Sequence, residues 1–454
     1  MLLAGKRAGS GLVILLFTLA SARHASAEPE RSTLPGHVPA AVAGLTPTGR
    51  LPATHTLLLA IGLPLRDEAT SDELVRQLYD PRSTNFHRFL TPEEFTARFG
   101  PTERDYEALM SFAEANGLTV VGRHPNRVVL DVGGCVSNIE RAFGVTLRTY
   151  RHPTEPRDFF APDVEPSVPA NLAVADMWGL SDYARPTPLA RPADRARISP
   201  LNYNGSGPGG SYQGRDFRNA YAAGSALTGA GQTAAVVEFD GYFTNDIATY
   251  EANCGYSNVP LQNVLLDSVS GKPGYSGESG AVDEVSLDIE MLIAMAPGLS
   301  NLMVYEGSNP YDVFNRIATD DIARQISCSW SWGAGPSHNW KGRGTTLDSQ
   351  LKQMTIQGQS FFESSGDSDA YTGSQALSSS AGPIPVGSVY LTSVGGTSLT
   401  MSGSGASWAS ETVWNWAPNG GADANAGSSG GICTSSCCPS EPAQRRRPRR
   451  SPRI

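Results

Sequence analysis

The chain has 454 residues, 40% of them hydrophobic and only 17% charged, a globular composition long enough for more than one domain and a sizeable core. Its 48 glycines and 32 prolines point away from a helix bundle and towards a loop-rich α/β or β-rich protein. A net charge of -9 gives no sign of nucleic-acid binding by the chain as a whole, and six cysteines at sparse, irregular positions exclude a disulfide-built scaffold.

At the N-terminus, Lys6 and Arg7 precede a short apolar run over 12–20, and Ala25, Ser26 and Ala27 follow as a small-residue cleavage site. Residues 1–27 therefore read as a secretory signal, with Glu28 as the first retained residue. The run is too short for a membrane anchor, and no other stretch is long and apolar enough to span a bilayer. Export permits disulfides, so Cys254 with Cys328 is a possible bridge, although no sequence rule fixes the pairing. Cys433, Cys437 and Cys438 lack a partner Cys-x-x-Cys and any nearby histidine, so no metal site is assigned there.

Residues 28–181 read as a small α+β domain. A buried strand is expected over 55–63, then a helix over 71–79 capped by Ser71 or Asp72. Thr91, Pro92, Glu93 and Glu94 start another helix, with a threonine cap, proline at the first position and acid in the first turn. A helix over 102–116 stops at Gly117. Strands over 118–121 and 127–132 flank the turn His124-Pro125-Asn126, a helix spans 136–143, and 145–150 is the closing strand. The order is β-α-α-β-β-α-β. Residues 182–214 lose hydrophobic periodicity and gather Pro, Arg, Gly and Ser, as an exposed, easily cut linker does.

Residues 215–432 change character again. Near-continuous apolar runs over 232–239, 302–305, 322–329, 360–364 and 388–394 alternate with helical segments at 244–253, 281–296, 310–318 and 344–357. That alternation predicts a doubly wound parallel α/β domain. The tail, 433–454, holds six arginines and one large aliphatic residue, Ile454. It cannot build core and is expected to be disordered. Its Arg, Pro, Ser and Cys content fits translation in a shifted frame of a GC-rich gene better than a nucleic-acid or anion-binding role or a solvated tail.

The most informative stretch is 281–296. Val282, Val285, Ile289, Leu292 and Ile293 repeat at helical spacing, and Glu284 and Asp288 sit four apart on one face. Like charges at this spacing destabilise a helix unless they have partners or a task. Held close and desolvated, they titrate as a coupled pair suited to general-base work in acid; as an isolated pattern they are two acids on a wetted face. Asp367, between Gly366 and Ser368, follows a strand, where α/β sites form. A protonated Asp367 could donate to an oxyanion, or the Gly-Asp step is a plain turn. A Ser-His-Asp hydrolase needs a histidine base. The only histidine beyond residue 160 is His338, in a loop-like context. A carboxylate-based mechanism fits better.

These residues resemble a known family. Asp80-Pro81-Arg82-Ser83, the run from Phe86 through Phe95, Arg98-Phe99-Gly100-Pro101, Asn126-Arg127 and the run from Glu140 to Val145 look like the activation domain of kumamolisin-type peptidases. Glu284 to Glu290 with Ala296-Pro297-Gly298, Ser331-Trp332-Gly333, Gly366-Asp367-Ser368 and Ser393 to Ser398 resemble landmarks of the sedolisin catalytic domain. The resemblance covers about residues 35–431. It implies a subtilisin-like catalytic domain after a ferredoxin-like propeptide, which acts as an intramolecular inhibitor until it is released by cuts in the linker. The activity implied is that of a secreted, acid-active serine endopeptidase working on protein or peptide substrates, with no nucleic-acid or membrane partner. Glu284 becomes the general base, Asp288 the carboxylate that orients it, Asp367 the oxyanion acid and Trp332 a substrate-pocket aromatic. The family's nucleophilic serine lies in a Gly-Thr-Ser segment beyond the Gly-Gly that matches Gly430-Gly431, and its single calcium site lies further on. This chain leaves the pattern near Ile432, so neither the nucleophile nor the calcium site is expected within it. Ser398 matches a structural strand end and does not receive the nucleophile's role. The alternative expectation is an inactive, truncated remnant that acts at most as a propeptide-like binder or inhibitor.

Overall fold

The computed structural model describes residues 30–188, 204–332, 345–370, 388–415 and 426–430. The signal segment, His338, the three C-terminal cysteines and the basic tail lie outside the described residues.

In chain order, the N-terminal part carries β1 (Arg31–Thr33), β2 (Gly49–Arg50), β3 (Thr56–Gly62), α1 (Glu68–Tyr79), α2 (Pro92–Phe99), α3 (Glu103–Ala115), β4 (Thr119–Arg123), β5 (Val129–Cys135) and α4 (Val136–Phe143). After these come β6 (Leu147–Arg151), β7 (Asp158–Pro162), β8 (Ser167–Pro169), β9 (Asp176–Trp178) and β10 (Thr187–Pro188). Four strands form an antiparallel sheet in the order β4-β5-β3-β9. With helices after β3 and β5, this is the ferredoxin-like arrangement. Leu59, Ile61, Leu109, Leu130, Val132, Ile139 and Phe143 form its buried core.

Two sequence expectations are corrected here. The predicted closing strand, as β6, joins β2 and β7 in a separate three-stranded sheet. Its place is taken by β9, three residues too short to show any periodicity. Helix α1 begins at Glu68 and is capped by Asp67, whose side chain accepts from the Thr70 amide at 3.3 Å. Ser71 lies inside the helix, buried, and its hydroxyl donates to the Glu68 carbonyl at 2.8 Å.

The start of α2 is as the sequence implies. The Thr91 hydroxyl accepts from the Glu94 amide at 3.2 Å and the Glu94 carboxylate accepts from the Thr91 amide at 2.9 Å, a reciprocal capping box. Thr91→Ala is expected to lower stability by about 1 kcal/mol in urea unfolding, since it removes that cap.

The C-terminal part contains α5 (Gly214–Tyr221), β11 (Thr233–Glu238), α6 (Thr244–Cys254), β12 (Leu261–Leu265), α7 (Ala281–Met295), β13 (Asn301–Glu306), α8 (Pro310–Asp320), β14 (Gln325–Cys328) and β15 (Trp330–Ser331). Then come α9 (Thr345–Gln357), β16 (Ser360–Ser364), β17 (Ser368–Ala370), β18 (Thr392–Val394), β19 (Thr397–Ser402), β20 (Ser407–Val413) and β21 (Gly427–Gly430). Six strands form an all-parallel sheet in the order β12-β13-β11-β14-β16-β18. Helices α5, α6 and α7 pack together, and α8 and α9 form a second group. Burial by helices explains why β11 reads as an unbroken apolar run. The strand expected over 388–394 is shorter than its apolar run, occupying only its last three residues.

The two parts share one core. Leu78, Phe95, Phe99 and Val128 from the first pack with Phe314, Leu351 and Ile356 from the second. Helices α1 and α2 lie on α9. Buried Asn126 donates to Asn315 Oδ1 at 2.7 Å and to Gln353 Oε1 at 2.8 Å, and Lys352 pairs with Asp72 at 2.8 Å. The Asp176 carboxylate accepts from the Thr346 amide at 3.3 Å and from its hydroxyl, at the N-terminal end of α9. A side chain at Gly62 would overlap Thr346 and Asp176, so glycine is required for this close approach. The linker expected over 182–214 is ordered at both ends: β10 pairs antiparallel with β15, and α5 begins at Gly214.

Candidate active site

The chain leaves β11 for β12 beyond β13, returns to β13, then crosses to β14 on the other side of β11. The sheet order reverses around β11, and the C-terminal ends of the strands there form the usual crevice of a parallel sheet. This row ends in acids: Glu238 closes β11, Glu306 closes β13, and Glu363 lies on β16 in register with Cys328 of β14. All three glutamates are fully buried.

Helix α7 brings two more. It packs on β11 through buried Val285, Ile289 and Ile293. Glu284, 3% exposed, sits in its first turn, where the positive end of the helix dipole favours a carboxylate. Asp288 follows one turn on. Asp288 Oδ1 accepts from the Ser329 hydroxyl at 2.8 Å, whereas Oδ2 is enclosed without a partner. Glu238 Oε2 accepts from the Trp330 indole N–H at 2.8 Å. Burial pushes the Asp288 carboxyl up to about 7, partly offset by Ser329. Burial, and then the charge of Asp288, hold Glu238 well above the ordinary carboxylate range, with Trp330 pulling the other way. Burial is also the main cause at Glu363, and Asp288 and Glu284 add to it.

The sign of the resulting pH dependence is fixed. An unfolded aspartate releases its proton near pH 3.9, whereas folded Asp288 keeps its proton up to about 7. Between these values the folded chain binds more protons, so this contribution is complete below about pH 3.9 and is lost as pH rises through about 7. The melting temperature is expected to be higher at about pH 5 than at about pH 8, and Asp288→Asn to flatten part of that slope.

Asp367 stands just past β16, after Gly366 in a positive-φ conformation (97°), and its carbonyl accepts from the Gly427 amide at 3.3 Å. Trp332, 1% exposed, is edge-on to Phe239 and Phe314 at centroid distances of 5.5 and 5.7 Å. It is an enclosed core aromatic here rather than an open pocket wall. Ser398 is exposed on β19 and faces Thr412 in the β19–β20 hairpin; the hydroxyl on Asp288 is that of Ser329. Cys254 and Cys328 are both free, which corrects the suggested bridge: Cys328 lies in the middle of the sheet, and Cys254 ends α6.

Glu238, Ser329, Trp330 and Glu363 escaped the sequence reading. The signal for Glu238 was present, a carboxylate ending an otherwise apolar strand. Nothing local marks Ser329 or Trp330, because their partners lie 41 and 92 residues away.

The family model described as "Pro-kumamolisin, activation domain" matches residues 43–178. Sedolisin from Pseudomonas sp. (strain 101) is 26% identical over 400 residues, covering 83% of this chain and 67% of its own length. Kumamolisin from Bacillus sp. (strain MN-32) is 29% identical over 408 residues, covering 87% and 71%. Xanthomonalisin from Xanthomonas sp. (strain T-22) is 28% identical over 402 residues, covering 80% of this chain but only 48% of its own length.

The chain is a homologue of the sedolisin-type peptidases. The ferredoxin-like part coincides with the activation-domain match, and the parallel sheet that follows has the expected α/β class. Outside this parallel sheet, β10 lies antiparallel along β15, with Thr187 opposite Ser331 and Pro188 opposite Trp330. The same short strand packs on α7, the helix of Glu284 and Asp288. Among the described residues, one group of metal-ligand type converges: His124, Asp131 and Asp312. Its imidazole does not suit calcium, which prefers oxygen donors alone. No described helix is long and apolar enough to cross a membrane.

Proposed function

We propose that this chain is the precursor of an exported, acid-active serine-carboxyl endopeptidase that hydrolyses peptide bonds in protein substrates. The observation that carries the reading is the pair of buried Glu284 and half-buried Asp288 on one face of α7, beside the acidic C-terminal ends of the parallel strands. In this reading a serine hydroxyl attacks the scissile carbonyl and passes its proton to Glu284. Asp288, fixed by Ser329, orients Glu284. Asp367, protonated in acid, donates to the oxygen that becomes negative, and the proton on Glu284 then goes to the leaving amine. The serine is not assigned to a residue of this chain. Raised carboxyl pKa values favour such proton sharing in acid, where a histidine base would be charged. The activation domain acts as inhibitor, and β10, in the linker that follows it, lies along β15 as an extended peptide would.

The test is incubation of purified precursor at about pH 4 with a denatured protein, beside Glu284→Gln. Loss of the activation domain and digestion of the substrate by the parent alone support the reading and require a serine of this chain as nucleophile, whereas no digestion by either favours the inactive alternative. Digestion by both rules out Glu284 as the base.

A further inference from the structure

The turn His124-Pro125-Asn126 and strand β5 of the activation domain meet the first turn of α8. There, His124 Nε2 lies 2.8 Å from Asp131 Oδ2 and 3.9 Å from Asp312 Oδ1. One donor atom from each of the three residues falls within 4.8 Å of the others. Asp312 is 8% exposed, and its Oδ1 has no hydrogen-bond partner. The other groups that meet it are the carboxylates of Asp131 and Asp267. Asp131 Oδ1 is likewise enclosed without a partner.

We propose that His124, Asp131 and Asp312 bind a divalent transition-metal ion of the zinc class, which bridges the activation domain to α8. The donor set decides the class. One imidazole with carboxylates suits zinc and its first-row neighbours, whereas calcium and magnesium take oxygen alone. The size also fits: bonds of about 2.0–2.2 Å in a tetrahedron place ligand atoms about 3.3–3.6 Å apart, between the 2.8 and 3.9 Å seen at His124.

The surroundings hold these donors in place. Asn309 caps α8 and donates to Asp312 Oδ2 at 2.8 Å, leaving Oδ1 directed at His124. Asp267 Oδ2 is taken by the Ser308 and Asn309 amides at 2.9 and 2.8 Å, so Asp267 supplies charge behind the site. The His124 amide donates to the Tyr106 hydroxyl at 3.1 Å. A side chain at Gly122 would overlap the Asp131 carboxylate, so glycine keeps that donor's place clear. Such outer contacts tune metal affinity by about 10- to 100-fold. A bridging ion would join residues of the N-terminal and C-terminal parts, and it does not depend on the peptidase reading.

The test uses the full chain carrying Glu284→Gln, to prevent processing, and Cys433→Ser, Cys437→Ser and Cys438→Ser, to remove competing thiolates. Zinc is titrated at about pH 7.5 against a chromophoric chelator. One ion is expected per chain, unaffected by excess calcium, with affinity at least tenfold weaker in His124→Ala and in Asp312→Asn. Melting curves in chelator show whether each variant still folds. If one does not, Gly122→Ala, which crowds Asp131 without removing a charge, serves in its place with the same expected loss. Hydrogen exchange on zinc addition is expected to slow both at 122–131 and at 309–315. Absence of saturable binding, displacement by calcium, affinity unchanged in folded variants, or protection on one side only would overturn the proposal.

Discussion

Glu284→Gln is expected to abolish both release of the activation domain and digestion of substrate at about pH 4, while leaving the melting temperature nearly unchanged. The substitution keeps the shape of the side chain and removes its ability to take a proton. A positioned general base contributes about 10²- to 10⁴-fold, so the rate should fall by at least that much. The fold should tolerate it, because the amide still fills the enclosed position on α7 and relieves repulsion with its acidic neighbours, among them Glu238 and Glu363, both of which feel the charge of Glu284. Peptide release followed by mass spectrometry, beside a thermal melt, separates the two effects. Activity within a fewfold of the parent would assign the proton transfer to another group. A melting temperature lowered by many degrees would make Glu284 a structural acid.

Phe95→Ala is expected to cost about 3–5 kcal/mol, the range for truncating a buried aromatic in a packed core. Phe95 is fully enclosed on α2, its ring 5.8 Å from that of Phe99. Helix α2 rests on α8 and α9, so this side chain belongs to the core that joins the activation domain to the sheet. The loss should fall on the junction first. Denaturant unfolding is expected to split into two transitions, the earlier being separation of the activation domain. A single transition displaced by less than about 1 kcal/mol would mean that the cavity collapses and that the polar contacts of Asn126 and Lys352 hold the junction.

These outcomes bear on different levels of the molecule. The Glu284 result concerns chemistry carried by one helix. The Phe95 result concerns how an inhibitor-like domain stays docked while its exit segment, β10, lies on β15. The metal titration concerns a third feature of the same junction, formed by side chains that belong neither to the core nor to the acidic row at the strand ends.

The sequence by itself determined the elements with strong local signals. Thr91-Pro92 with Glu94 specifies the start of α2, because capping is an interaction over three residues. The apolar runs of β11 and β13 specify a sheet covered on both faces, and the repeat over 281–296 places Glu284 and Asp288 on one side of one helix. Only the tertiary structure decided the rest. It gave the last place in the N-terminal sheet to three-residue β9 rather than β6, since edge pairing is settled by which strand the chain can deliver. It left Cys254 and Cys328 apart, enclosed Trp332 between Phe239 and Phe314, and set Ser329 and Trp330 on the acids. The physical reason is common to all of these. Local patterns report backbone preference and which face is buried, whereas the partners of a buried polar or aromatic group are chosen by packing between segments far apart in the chain.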